Sequence, residues 1–267
     1  IANARGIAVI EDASHAHGAT CNGRPVGSIG HIGCFSLQGV KAVSGGEAGV
    51  ATTNSPELFD RMVLLGHFGR GPKAEGQRTF DSLGDMSLGA KYRPHAFAVA
   101  LATSQLGRLG DLNQKRARNY AVLNDRLRKV HGVETVEPRE GCTRGGYLEF
   151  KFKVAREVLN RVSLERIEAA LNAEGAPFQK DRYSSMNFTY GLLHQAPLFT
   201  SFDRRSLGGC FYDSKSYNGP QKSVLLPVTE DVCTRLLSTY AFVDVDDAYL
   251  QQLADAFEKV LANLNSL

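Results

Sequence analysis

No stretch of this sequence stays apolar for anything near the ~18 residues that a membrane-crossing helix needs, so no segment reads as transmembrane. The opening "IANARG" does not read as a signal peptide or targeting sequence. It reads as the end of a helix with Gly6 as its cap. Cysteine is sparse. The five residues (Cys21, Cys34, Cys142, Cys210 and Cys233) are odd in number, scattered and without a CxxC pair. That speaks against a disulfide framework or a structural zinc site and fits a reduced, cytoplasmic chain. An excess of either charge is missing too. Lys and Arg number 31 against 28 Asp and Glu, a net charge of +3, with the signs interleaved along the chain. Nucleic acid would call for a clustered basic face, so it is not an expected partner. Internal repeats and low-complexity tracts are also lacking.

What is present is an ordinary soluble composition, 43% apolar and 22% charged, in 267 residues. That length buries a real core as one large domain or two modest ones. "GIAVIED" is a short continuous apolar run, the pattern of a strand buried on both faces, and it ends in Glu11 and Asp12. Ligands of open α/β sheets sit beyond the carboxyl ends of strands, which places Asp12 well to touch one. "GCFSL" and "AGVATT" read as two further strands. Ser55-Pro56-Glu57 is a helix start, with a hydroxyl cap, proline in the first turn and an acid against the dipole. Leu58, Met62 and Leu65 follow at helical spacing.

Residues 69–90 read as loop. Helical periodicity returns from Ala96 to Val130, with Tyr120, Leu123, Leu127 and Val130 on one face. Gly132 ends that helix and the first domain. "YLEFKFKV" alternates as a half-exposed antiparallel strand does. Ser163 is placed to cap a helix through Leu164, Ile167 and Leu171, stopped by Gly175 and Pro177. Residues 179–222 are loop-rich, and Leu250, Leu253, Phe257, Val260 and Leu264 mark a closing amphipathic helix.

The stretch "CFSLQGVKAVSGGEAGV" holds the residue of most chemical interest. Lys41 lies in a bend too glycine-rich for a good helix and too irregular for a strand. A solvated surface lysine is one reading. The other is a Schiff-base lysine paired with Asp12 as partner of a pyridinium nitrogen, because the glycines allow close backbone approach to a ligand. Asp12, His15 and His17 also invite a metal reading, though a further ligand at suitable spacing is missing. Ser36 with Lys41 is a candidate Ser-Lys dyad without an oxyanion-forming motif. The Gly45–Gly49 bend has neither of the glycine-rich phosphate-binding patterns.

Three ordered motifs carry a resemblance. "VIEDASHAHGA", then "VGSIGHIGCFSLQGVK", then "GGEAGVATT" resemble the core signature of the DegT–StrS family. "LLGHFGR", "SLGAKYRPHAFAVALATSQLGRL" and "LHQAPLF" are similar to later segments of that family in the same order. The resemblance implies an α/β fold: the C-terminal portion of a fold-type I pyridoxal 5′-phosphate aminotransferase. Residues 1–130 would form the later half of the large cofactor-binding domain, and residues 131–267 a smaller α+β domain. It implies amino transfer from glutamate or glutamine to a keto sugar nucleotide, in nucleotide-sugar biosynthesis, by a homodimer. Same-family dehydratase or amino-cyclitol chemistry, or a non-catalytic regulatory or assembly module, stand as alternatives.

By the same resemblance, Lys41 is the Schiff-base lysine and proton shuttle, and Asp12 keeps the pyridine nitrogen protonated. His15 lies beside the ring and its 3-oxygen, and Ser36 helps hold the phosphate. Lys91 replaces an asparagine that in the family commonly reaches the neighbouring subunit's cofactor phosphate; a lysine pairs with phosphate in a different geometry. The family's G-E-G-G reads here as Gly46, Glu47, Ala48, Gly49. Family members also carry a long portion before the "VIEDA" strand, with a phosphate-cupping turn and a ring-stacking aromatic. The expectation is therefore a fragment or a shortened homologue, and the 267 residues alone should hold the cofactor weakly.

Overall fold

The computed structural model describes residues 1–66, 90–181, 192–196, 200 and 224–267. Most of the two expected loop regions, 69–90 and 179–222, lies outside the described residues, as do parts of the "LLGHFGR", "SLGAKY…" and "LHQAPLF" segments. By contact the chain divides into two compact units. One comprises Ile1–Asn119, Glu137–Leu148 and Ala241–Asp244; the other comprises Tyr120–Val136, Glu149–Tyr240 and Val245–Leu267.

The first unit opens with a single 3₁₀ turn, Asn3–Arg5, closed by Gly6 in the left-handed region at φ +64°. Its sheet has three strands among the described residues: β1 (Ile10–Asp12), then β4 (Ile32–Ser36), then β5 (Gly49–Thr52), in that spatial order. β1 and β4 run parallel, with Ile10 opposite Ile32 and Asp12 opposite Cys34. β5 returns antiparallel along β4, pairing Ser36 with Gly49. A small hairpin, β2 (Thr20–Cys21) and β3 (Arg24–Pro25), fills the connection between β1 and β4.

The expectation of a β1 buried on both faces needs correction. The strand is only three residues long, and Ile7 and Ile10 are 54% and 67% exposed. Among the described residues β1 pairs with β4 alone, so it stands at a sheet edge, and its apolar side chains lack the covering a doubly buried strand has.

Helix α1 (Pro56–Gly66) begins as expected: Ser55 Oγ accepts from Leu58 N at 3.3 Å, and Ser55 O from Phe59 N at 3.0 Å. The single helix expected from Ala96 is two. α2 (Ala96–Leu106) is capped by His95, whose ring accepts from Phe97 N. After Gly107 and Arg108 the chain starts again as α3 (Leu109–Leu127). Periodicity is nearly continuous across such a join, while the turn occupies only Gly107 and Arg108.

The second unit is a four-stranded sheet in the order β6 (Val133–Thr135), β7 (Glu149–Val154), β9 (Leu236–Tyr240), β8 (Gln179–Lys180), with every neighbouring pair antiparallel. The alternation of "EFKFKV" puts Phe150, Phe152 and Val154 inward at 0–1% exposure. The lysines between them are less exposed than half-exposed strands suggest, because each is tied down: Lys153 to Glu134 at 2.7 Å, and Lys151 to Glu149 and Asp181. Helix α4 (Arg156–Leu159) leads to α5 (Leu164–Ala173), where Ser163 caps and Leu164, Ile167 and Leu171 are buried. After α6 (Pro227–Cys233), the closing helix α7 (Asp247–Ala262) buries Leu250, Leu253, Phe257 and Val260. Phe152, Phe178 and Phe257 meet edge to face at the centre of this core.

Candidate active site

The parallel pairing of β1 and β4 brings their carboxyl ends to one side of the sheet, and the candidate residues leave from there. Asp12 is the last residue of β1 and Ser36 the last of β4. Asp12 turns the chain at once: its Oδ1 accepts from Ser14 N at 3.0 Å and from Ser14 Oγ. This is an Asx-turn, legible in principle from a carboxylate two residues before a serine. These bonds hold the Asp12 carboxyl below the usual carboxylate range; the Ser14 hydroxyl contributes most, then its N–H, and more weakly the charges of His15 and Lys41. Asp12 is therefore an anion at neutral pH, exposed, with cationic neighbours.

Lys41 reaches the same place from the β4–β5 connection. Its Nζ is hydrogen-bonded with His15 Nε2, and its own N–H donates to Gln38 O at 2.9 Å. The glycines beside it have specific work. A Cβ on Gly45 would come within 2.9 Å of Ala98 O, so only glycine lets this bend lie against α2, and Gly46 turns at φ +82°. The bend is pinned across a long separation: Ser44 N donates to Gln105 Oε1 on α2 at 2.7 Å.

Sequence reasoning leaves His17 between a metal role and ordinary polar or cofactor contacts. The structure puts it 5% exposed behind the site, with Nε2 2.9 Å from Ser36 O. Burial pushes its pKa down, so the ring is neutral and Nε2–H is the donor; the Ser36 carbonyl pulls the other way, less strongly. Nε2 of His15 and Nε2 of His17 thus serve different partners, and among the described residues no group of three or more His, Cys, Asp or Glu gathers. Glu11, one residue before Asp12, accepts N–H bonds from Gly27 (2.8 Å), Ile29 (2.7 Å) and Gly30 (2.6 Å) and so anchors the turn into β4. Burial raises its pKa, but the three N–H donors outweigh that and leave it lowered. Neither role has a local sequence signal, because each partner lies 16 or more residues away.

Ser36 Oγ accepts from Gln38 N at 3.3 Å. Lys91 is exposed on the extended segment leading into α2. An apolar cavity of about 410 Å³ lies between β4, β5 and α2, lined by residues such as Phe35, Val43, Val50, Ala98 and Leu106. Asp12, His15, Ser36 and Lys41 do not line it, whereas His17 does.

The fold gives the class. A solved aminotransferase from Psychrobacter cryohalolentis matches 99% of this chain and 64% of its own, with a TM-score of 0.75 at 26% identity. The chain thus has the fold of part of a type I pyridoxal-phosphate aminotransferase. The model of the DegT/DnrJ/EryC1/StrS aminotransferase family matches residues 1–201, and the chain belongs to that family. It is 30% identical over 273 aligned residues to the L-glutamine:2-deoxy-scyllo-inosose aminotransferase of Streptoalloteichus tenebrarius, covering 100% of this chain and 62% of that protein. It is 34% identical over 178 residues to the L-glutamine:scyllo-inosose aminotransferase of Streptomyces griseus, covering 65% and 42%. The chain thus spans less than two thirds of the length of these relatives.

Pyridoxal phosphate is the cofactor of this class, and the donor chemistry fits it. An ionised carboxylate suits a protonated pyridine nitrogen, and a primary amine within reach of an imidazole suits an aldehyde.

Proposed function

We propose that this chain is the lysine-bearing part of an aminotransferase that moves an amino group from glutamine or glutamate to a ketone on a polyhydroxylated six-membered ring. The observation that carries this reading is the grouping of an ionised Asp12 with the Lys41–His15 pair at the carboxyl ends of two parallel strands. Bound there, pyridoxal phosphate supplies an aldehyde and an electron-withdrawing ring. Asp12 Oδ2, free of the Ser14 bonds that engage Oδ1, would be the carboxylate oxygen that holds a proton on the pyridine nitrogen. With the cofactor bound, Lys41 Nζ would be the amine that meets its aldehyde and the base that takes up and returns the substrate's proton. His15, hydrogen-bonded through Nε2 with Nζ, would orient that amine. Ser36 contributes a hydroxyl to the phosphate, and Lys91 an ammonium to the phosphate held by the second subunit of a homodimer.

The motif resemblance implies a ketone on a nucleotide-linked sugar. The relatives named for glutamine and scyllo-inosose support a free cyclitol instead. Supplying the protein and pyridoxal phosphate with L-glutamine and 2-deoxy-scyllo-inosose, or with a nucleotide-linked 4-keto sugar, separates the two. An aminated cyclitol by mass spectrometry is the expected product. An aminated nucleotide sugar alone would overturn the cyclitol in favour of the nucleotide-linked substrate. A dehydrated product without nitrogen would overturn amino transfer.

A further inference from the structure

The hairpin that follows the His15–His17 turn is paired with a second segment far along the chain. Cys21, in β2, stands directly opposite Cys142 as an isolated antiparallel bridge. The flanking bonds identify the type of pair: Thr143 N donates to Thr20 O at 2.9 Å, and Asn22 N to Gly141 O at 2.7 Å. Neither cysteine takes part in these bonds, so this is the close, non-hydrogen-bonded kind of pair. In such a pair the Cα atoms stand about 4.5 Å apart, within the roughly 4.4–6.8 Å that a disulfide spans.

The register is fixed on both sides. Thr20 N donates to Thr143 Oγ1 at 2.9 Å. A Cβ on Gly141 would come within 2.4 Å of Asn22 Oδ1, and one on Gly145 within 2.3 Å of Ala19 N. The two Sγ atoms face each other at 2.6 Å, and both residues are half-buried thiols, within reach of a small oxidant.

We infer that Cys21 and Cys142 form a redox modification site, a reversible cross-strand disulfide that fastens residues 141–146 to the back of the His15–Lys41 loop region. The fastening reaches that region because a Cβ on Gly146 would lie 2.6 Å from Ala42 Cβ and 3.3 Å from His17 O. The oxidant is a small-molecule disulfide such as oxidised glutathione. One protein thiolate attacks it, forming a protein–glutathione mixed disulfide and releasing one glutathione thiolate. The second cysteine thiolate then attacks the protein sulfur of that mixed disulfide and displaces the other glutathione. Two protein thiols lose two protons and two electrons, and one oxidised glutathione becomes two reduced ones. The sequence separation of 121 conceals the pair from any reading of Cys spacing.

The test is to equilibrate the protein with excess oxidised glutathione, block remaining thiols, digest without reductant and map the peptides. The tryptic peptide bearing Cys21 also holds Cys34, since Arg24 precedes a proline, so fragmentation must assign the sulfur. The expected product is a Cys21–Cys142 cross-link, two hydrogens lighter and reversed by dithiothreitol. It should raise the melting temperature by roughly 5–10 °C, an increment absent from Cys142→Ser. Recovery of Cys21 and Cys142 each blocked or each carrying glutathione would overturn the inference, as would a cross-link through Cys34. Because the mapping uses the unaltered protein, its outcome does not depend on how the variant folds.

Discussion

Asp12 and His17 sit within six residues of each other and face opposite demands. Asp12 must be an anion in an exposed place, and two bonds from Ser14 keep it so. Asp12→Asn retains an acceptor for the Asx-turn and should leave folding nearly unchanged by thermal melting. Its turnover should fall by roughly 10²-fold or more, because an amide does not hold a pyridinium proton; near-normal turnover would refute the role. His17 must instead stay neutral, because burial depresses its pKa. A histidine with a depressed folded pKa contributes stability that is complete above the unfolded value, about 6.5. That stability is lost as pH falls from there through the folded value. Melting temperature should therefore drop as pH falls below about 6.5. His17→Gln, whose amide still donates to Ser36 O, should flatten that part of the profile; an unchanged slope would assign the drop to other groups.

At the scale of elements, the sheet of the second unit rests on β7, whose inward residues are marked by the alternation of "EFKFKV". Phe152 is 1% exposed and meets the rings of Tyr120, Phe178 and Phe257. Phe152→Ala should cost about 3–5 kcal/mol in chemical denaturation, and a loss below ~1 kcal/mol would mean the core collapses onto the gap. Pattern also locates β4, β5, the starts of α1 and α5, and the buried face of α7. It misleads where burial depends on neighbours rather than on the residue: "GIAVIED" is apolar enough for an inner strand, yet β1 is an edge among the described residues. It misses the break before α3 as well, since Gly107 and Arg108 interrupt the backbone without interrupting the apolar period. In the site, the order of motifs points to Asp12, His15 and Lys41, and the structure brings these side chains together. The supports behind them are not legible, because Ser44–Gln105 and His17–Ser36 join residues 61 and 19 positions apart with no local pattern.

For the whole molecule, the chain belongs to the DegT/DnrJ/EryC1/StrS family and has part of a type I aminotransferase fold, while it matches 62% of the length of a 30%-identical relative. Exposed apolar side chains on the first unit, Ile7, Ile10, Val50 and Phe59 among them, are in keeping with the homodimer proposed above. Sedimentation velocity at micromolar concentration should show a dimer, and a monomer alone would argue against Lys91 serving a neighbouring site. The central claim, however, is that Lys41 is the lysine that meets the cofactor. Borohydride reduction of the protein saturated with pyridoxal phosphate, followed by peptide mass mapping, tests it directly. The adduct should lie on Lys41, in the peptide that runs up from "CFSLQGV"; an adduct on another lysine, with Lys41 unmodified, would contradict the account.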